Sequence, residues 1–209
     1  MTNTLREIVS HQSFNFTSSA ILLLAYLAFL YNHITSIYFG TLSPTGLIFV
    51  AMESTVILLI FLRRVPVIRS DKLTAWLSAL GATFAPLLLV PSGVVVQAHL
   101  GDALMILGGI LAVLSYWSLN TSFGVSPALR SVKTSGLYRF VRHPMYASYL
   151  VLYAGYLLIA FSFTNVAVIF VLVCLLVARI HFEEEILQTD AIYKEYKKTV
   201  RYRLVPLVF

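Results

Sequence analysis

The stretch that decides the fold is Gly136-Leu-Tyr-Arg-Phe-Val-Arg-His-Pro-Met-Tyr-Ala-Ser-Tyr149, where a basic polar segment turns into a long apolar one. A second stretch, Arg179-Ile-His-Phe-Glu-Glu-Glu-Ile-Leu187, closes the last apolar segment with a basic residue and three glutamates. Charged side chains at the edge of apolar segments are costly unless they have partners or a ligand. We therefore expect the functional chemistry of the chain in these two stretches.

The composition is that of an integral membrane protein. Of the 209 residues, 59% are hydrophobic and 11% are charged, with a mean hydropathy of +0.85, whereas soluble domains are about half apolar and a quarter charged. The net charge of +6 comes mainly from short segments that flank apolar runs, so we exclude nucleic acid as a partner. The single cysteine, Cys174, excludes an internal disulfide and is predicted to be a small buried side chain.

Six apolar runs predict membrane-spanning helices. They extend from about Phe16 to Tyr38, Thr45 to Leu62, Leu73 to Val96, Ala103 to Leu119, Tyr146 to Phe163, and Asn165 to Ile180. The predicted fold class is an all-α transmembrane bundle of five to six spans, with a C-terminal helical hairpin and an amphipathic tail helix. We treat residues 1–209 as one domain, with four variable helices in 1–119 and a functional core in 120–209. The pair Gly108-Gly109 would allow close helix approach, within one chain or between two.

Positive charge orients this bundle. Lysine and arginine are concentrated in the second and fourth loops and in the tail, whereas the first, third and fifth loops contain neither. Both termini are therefore predicted to be cytoplasmic. The two polar stretches then lie at the same cytoplasmic end, because one opens the fifth span and the other closes the sixth.

The residues of the two stretches are suited to a zwitterionic ligand. Pro144 is expected to begin a helix, so free backbone N–H groups together with Arg142 and His143 could hold a carboxylate. Arg179 and Glu183 are four residues apart and could simply form an intrahelical ion pair. Three successive glutamates at a basic membrane face should in addition attract a cation or ligand hydroxyls. S-adenosylmethionine carries both a carboxylate and a positive charge, and we predict no metal site.

The order and spacing of these motifs resemble those of the isoprenylcysteine carboxyl methyltransferase family and the related phospholipid methyltransferases. The resemblance rests on Gly136–Tyr146, a helical hairpin, Arg179-Ile-x-x-Glu183-Glu184-x-x-Leu187, Tyr193-x-x-Tyr196 and a terminal Arg-x-x-Pro. It covers about the last 90 residues. It implies a membrane methyltransferase that takes S-adenosylmethionine from the cytoplasm, releases S-adenosylhomocysteine, and takes a lipophilic or prenylated acceptor from the bilayer.

The resemblance also implies roles for individual residues. Those expected to bind the cofactor are Arg130, Ser131, Val132, Lys133, Tyr138, His143, Pro144, Met145, Tyr146 and Glu183. Arg179 corresponds to the arginine that faces the substrate carboxylate. A carboxylate nucleophile needs no base, whereas an amine or thiol would require one such as Glu183 or Glu184.

This sequence departs from the family pattern at two places. The segment Gln188-Thr-Asp-Ala-Ile192 is shorter than usual and lacks a Phe-Gly pair, and Ala147-Ser148 replaces a pair of glycines. We expect both changes to affect the shape of the acceptor that can bind more than they affect binding of the cofactor.

Other classes of function are less consistent with the motifs. A sterol-type membrane reductase would share the C-terminal hairpin and use NADPH, but the Arg-His-Pro-x-Tyr and Glu-Glu signatures argue against it. A transporter or scaffold would instead use His33, Glu53 and Asp102 as a polar path. Glu53 lies within the second predicted span, and we interpret it as an interfacial or paired carboxylate, with His33 as a possible partner.

Overall fold

A computed structural model describes residues 12–39, 43–90, 94–124 and 127–206 of the chain. The α-helices of this described part are α1 (Gln12–Tyr38), α2 (Pro44–Leu62), α3 (Leu73–Phe84), α4 (Ala98–Leu119), α5 (Pro144–Ile159), α6 (Phe163–Leu187) and α7 (Ala191–Thr199). Two-residue strands, β1 (Ile68–Arg69) and β2 (Ala128–Leu129), form the sheet structure of the same part. The predicted all-α fold is confirmed.

By length and composition, three helices in the described ranges can cross a membrane. They are α2, α4 with its 3-10 extension to Ser122, and α6. Shorter apolar helices occupy Leu23–Asn32, Leu73–Leu88 and Pro144–Ile159. The six predicted apolar runs thus lie largely on helices of the described part, but α3, with 12 residues, and α5, with 16, are shorter than a full span.

The helices begin where the sequence provides caps. Pro44 and Pro144 occupy the first turns of α2 and α5, where a missing backbone N–H costs nothing. The side chain of Ser162 accepts a hydrogen bond from the backbone N–H of Asn165 at the start of α6. Only Ala160 to Ser162 separate α5 from α6, so the predicted helical hairpin is confirmed.

Loop contacts divide the bundle into two ends. At one end, β1 of the second loop pairs antiparallel with β2 of the fourth loop. At the other end, Val94 of the third loop bridges to Phe161 of the fifth. The basic loops therefore share one end, as predicted, and the two polar stretches meet there.

Glycines bring the fourth and fifth helices into backbone contact. A Cβ atom on Gly108 would lie 2.6 Å from the backbone nitrogen of Leu152, which is too close for any side chain. A Cβ atom on Gly109 would instead lie 2.3 Å from Ile48 in α2. Both members of the predicted close-approach pair are therefore used within the chain.

Two predictions about the apolar segments are wrong. Cys174 is exposed, because it lies on a face of α6 that is turned away from the bundle. The third run is not helical to Val96: α3 ends at Phe84, and a 3-10 helix follows with Pro86, the residue expected to kink this run, in its first turn. Pro91, which the sequence suggests as the end of the third run, and the side chain of His33, the expected partner of Glu53, lie outside the described residues.

Candidate active site

Glu184 is the centre of a buried ionic cluster at the basic end of the bundle. Its side chain is 2% exposed, and Oε1 accepts a hydrogen bond of 2.8 Å from Nε of Arg142. The same oxygen lies 3.3 Å from Nε2 of His143. The other oxygen accepts bonds of 3.1 Å from both Nε and Nη2 of Arg203. Such a carboxylate is stable when buried only because donors surround it.

The local sequence explains how this cluster forms. Pro144 ends the preceding loop and begins α5, which leaves Arg142 and His143 at the helix entrance facing α6. Their backbone N–H groups donate to the carbonyls of Tyr202 and Arg203, each at 2.9 Å. The C-terminal segment therefore lies alongside the first polar stretch.

Glu183 points in a different direction from its neighbour. Its Oε1 accepts a hydrogen bond from the hydroxyl of Tyr146 and one of 3.1 Å from Nε of Arg179. Its Oε2 lies 3.8 Å from Nδ1 of His143. The predicted ion pair between Arg179 and Glu183 is thus present, but it belongs to a larger site and does not account for either residue alone.

A polar cavity of about 90 Å³ opens beside Glu183. All of the predicted cofactor residues except Pro144 line it: Arg130, Ser131, Val132, Lys133, Tyr138, His143, Met145, Tyr146 and Glu183. These residues come from four segments: the β2 loop, the 3-10 helix Gly136–Arg139, and the facing ends of α5 and α6. The structure therefore brings together residues that are more than 50 positions apart in the sequence.

Several residues that line the polar cavity were not predicted from the sequence. Ser122 and Gly124 reach it from the end of α4, and Tyr193 and Tyr196 reach it from α7. The Tyr-x-x-Tyr spacing on an otherwise lysine-rich helix was the available signal, because it places both rings on one face. The hydroxyl of Tyr196 donates to the carbonyl of Tyr138, which fixes the tail helix against the cavity.

Electrostatics favour an anion at one wall of the polar cavity. Burial and the positive charges of Arg63 and Arg69 lower the pKa of Arg130 to about 10. Nε of Arg130 donates to the carbonyl of Arg64. Burial raises the pKa of Tyr138, and the charge of Glu183 raises it further, so this hydroxyl stays protonated. A ligand with negative charge near Arg130 would relieve the repulsion among the arginines.

A larger, mostly apolar cavity of about 310 Å³ lies deeper in the bundle. Side chains from every helix from α1 to α6 line it, and most are aromatic or aliphatic. Its two charged residues among the described ones are Arg179 and Glu53, which is 8% exposed. Met145 lines both cavities, so a single side chain separates the polar cavity from the apolar cavity at this point.

Part of the chain is similar to a known protein family. Residues 96–195 match the family model described as phospholipid methyltransferase. This segment belongs to that family. This match supports a membrane methyltransferase. The phospholipid methyltransferase match begins at α4, before the predicted core, and includes both polar stretches. No curated protein sequence matches the chain.

The family match bears on the classes of function considered above. It favours a methyltransferase over a sterol-type reductase or a transporter, and it includes most residues of the polar cavity. The C-terminal segment that pairs with Arg142 and His143 lies beyond the matched residues. The helices that supply Glu53 and most of the far wall of the apolar cavity precede them.

Proposed function

We propose that the protein transfers a methyl group from S-adenosylmethionine, bound in the polar cavity, to a lipophilic acceptor in the apolar cavity. The observation that carries this proposal is that the two cavities adjoin at Met145. Arg179 lies in the wall of the apolar cavity, and Glu183, one helical turn further on, lies in the wall of the polar cavity. A methyl donor and an acceptor must approach to about 3 Å with water excluded, and two adjoining cavities allow this.

The residues of the polar cavity fit S-adenosylmethionine by their chemistry. Arg130 and Lys133 provide positive charge for its carboxylate, and Glu183 provides an acceptor for ammonium or ribose hydroxyl groups. The rings of Tyr138, Tyr193 and Tyr196 provide flat surfaces for an adenine base. When bound, this molecule supplies an electrophilic methyl group on a positively charged sulfur.

The chain itself has to position the acceptor and keep out water. A carboxylate acceptor would arrive already ionised, so that the new O–C bond forms as the C–S bond breaks, and no proton moves. The guanidinium of Arg179 would orient this carboxylate, because planar guanidinium groups bind carboxylates in a fixed geometry. We therefore propose carboxyl O-methylation, of the isoprenylcysteine type, as the first candidate reaction.

Amine N-methylation is the second candidate, and Glu53 is the observation that favours it. This carboxylate lines the apolar cavity, where it would attract an ammonium group such as that of an aminophospholipid. An amine acceptor must lose a proton before or during transfer, and Glu53 or Glu183 would take it. The description of the matched family is consistent with such an acceptor.

We further propose that the polar cavity faces the cytoplasm. The loops around it carry Arg63, Arg64, Arg69 and Lys72, and the positive-inside rule assigns such loops to the cytoplasmic side. The methyl donor would then enter from the aqueous phase and the acceptor from the bilayer.

Calorimetric titration of the detergent-purified protein with S-adenosylhomocysteine tests the first part of the proposal. We expect binding by the parent and by Lys194→Ala, an exposed control on α7, and at least tenfold weaker binding by His143→Ala. A folded parent that binds NADPH and no S-adenosylhomocysteine would contradict the proposal.

The acceptor is then identified by incubating the protein with labelled S-adenosylmethionine and membrane lipid extracts. A methyl ester releases labelled methanol in mild alkali, whereas an N-methyl group retains its label. Alkali-labile label supports the carboxylate acceptor, and alkali-stable label that depends on Glu53 supports the amine.

A further inference from the structure

The C-terminal segment Val200–Leu204 forms a strap across the entrance of α5. The backbone N–H groups of Arg142 and His143 donate to the carbonyls of Tyr202 and Arg203, each at 2.9 Å. The guanidinium of Arg142 donates in addition to the carbonyls of Val200 and Arg201. These four hydrogen bonds attach the strap to two residues that line the polar cavity.

Arg203 adds an ionic contact to the strap. Both Nε and Nη2 of Arg203 donate to Oε2 of Glu184, each at 3.1 Å, and the opposite oxygen of Glu184 contacts Arg142 and His143. Through Glu184, the side chain of Arg203 is linked to Arg142 and His143, which line the polar cavity. Its side chain is 34% exposed, against 4% for Arg142, so Arg203 is the member of this cluster that meets water.

We propose that Arg203 is a positioning residue for the methyl donor, because it fixes the Glu184 carboxylate and thereby the orientation of Arg142 and His143 in the polar cavity. The inference rests on the proposed function, namely that this cavity binds S-adenosylmethionine. In this arrangement the ionic cluster is complete only with the strap in place. Binding of the methyl donor therefore depends on residues beyond the segment that matches the family model.

The buried charge of Glu184 explains why loss of Arg203 would move residues that Arg203 does not contact through its side chain. Glu184 needs compensating donors on both oxygens because it is buried. When the two donors on Oε2 are removed, the carboxylate is expected to rotate toward water or to bind Arg142 with both oxygens. Either movement changes the position of His143, whose ring packs parallel to that of Tyr146 at a centroid distance of 5.7 Å.

The test compares Arg203→Ala and Arg203→Lys with the parent protein and with Lys194→Ala, which removes the same charge from an exposed site on the neighbouring helix. The measurements are the affinity for S-adenosylhomocysteine, by calorimetry, and the unfolding temperature of each variant. We expect affinity to fall about tenfold in Arg203→Ala and to recover partly in Arg203→Lys, because lysine restores the charge but not the two-donor geometry. Lys194→Ala should bind as the parent does.

Kinetics separate a positioning role from a structural one. With labelled methyl donor and the active lipid extract, Arg203→Ala should raise KM for the donor. The amount of extract that gives half-maximal transfer should stay unchanged. A variant that unfolds at lower temperature but binds S-adenosylhomocysteine normally while folded would overturn the inference. Absence of binding by the parent would refute the proposed function itself, whereas equal binding by the parent and Arg203→Ala refutes only the role of Arg203.

Discussion

The guanidinium of Arg179 lies over the ring of Tyr146, 5.2 Å from the ring centre. Tyr146 lines the polar cavity and Arg179 lines the apolar cavity, so this cation–π contact crosses the boundary between them. Nε of Arg179 also donates to Glu183, and Nη2 lies 3.3 Å from the carbonyl of Gly124. Arg179 is therefore held in one orientation by residues that line the polar cavity, while it also lines the apolar cavity.

Substitution of Arg179 by lysine should separate transfer from donor binding. Lysine keeps the positive charge opposite Glu183 but loses the planar stacking on Tyr146 and the fixed fork of donors. We expect transfer of labelled methyl to fall about 100-fold, since a misplacement of about 1 Å at a reacting group has an effect of that size. The affinity for S-adenosylhomocysteine should change by no more than about threefold, which corresponds to less than 1 kcal/mol. Parallel losses in transfer and in donor binding would contradict the assignment of Arg179 to the acceptor side.

The three successive glutamates of α6 should differ sharply on substitution. Glu183→Gln removes the charge that faces Arg179, His143 and the polar cavity, and a hydrogen bond to a charged group contributes about 1.5–3 kcal/mol. We expect S-adenosylhomocysteine to bind at least tenfold more weakly, as measured by calorimetry. Glu185→Gln is the matched control, because Glu185 is exposed and pairs with Lys72 on the surface. Equal effects of the two substitutions would mean that Glu183 does not contact the methyl donor.

The glutamates also show how far the sequence alone could lead. The triple run at the end of an apolar helix identified the region, and the spacing from Arg179 correctly predicted the ion pair with Glu183. Successive helical residues point about 100° apart, however, and the sequence did not indicate which carboxylate faces the ligand. That depends on Arg203 and Arg142, which reach Glu184 from segments remote along the chain.

The apolar helices could be predicted more readily than the directions of the glutamate side chains. Their existence follows from local composition, and each predicted run is largely helical in the described part of the chain. The face that each helix buries depends on neighbours that composition does not identify, and the buried position predicted for Cys174 was wrong on that account. Likewise, the Tyr193-x-x-Tyr196 pair was visible in the sequence, but its place on the polar cavity required the tail to fold back over α5.

Replacement of Gly108 by alanine should destabilise the bundle more than replacement of Gly81. The new Cβ at position 108 would meet backbone atoms of Leu152 at 2.6 and 2.8 Å, and backbone in a packed helix cannot move aside easily. At Gly81 the nearest atom is the flexible end of Leu175, at 3.1 Å. We expect Gly108→Ala to cost about 1–3 kcal/mol or more in free energy of unfolding, measured as a fall in unfolding temperature in detergent. A smaller loss than in Gly81→Ala would contradict the backbone contact between α4 and α5.

Substitution of Arg130 by glutamine should weaken donor binding without destabilising the free protein. Burial and the neighbouring charges of Arg63 and Arg69 lower the pKa of Arg130 to about 10 from an ordinary value near 12.5. The unfolded chain therefore holds this proton more tightly than the folded one. The charge opposes folding at every pH below about 10, and this opposition disappears only as the pH rises beyond the unfolded pKa.

The carboxylate of a bound ligand would offset that repulsion, whereas the free Arg130→Gln protein lacks the repulsion that involves Arg130. We expect its unfolding temperature to equal or exceed that of the parent, while S-adenosylhomocysteine binds about tenfold more weakly and raises the unfolding temperature less. Thermal unfolding at neutral pH, with and without S-adenosylhomocysteine, measures both effects, and Lys194→Ala again controls for the loss of one positive charge. A marked fall in the unfolding temperature with unchanged affinity would show that Arg130 acts through its hydrogen bond to Arg64 and not through its charge in the cavity.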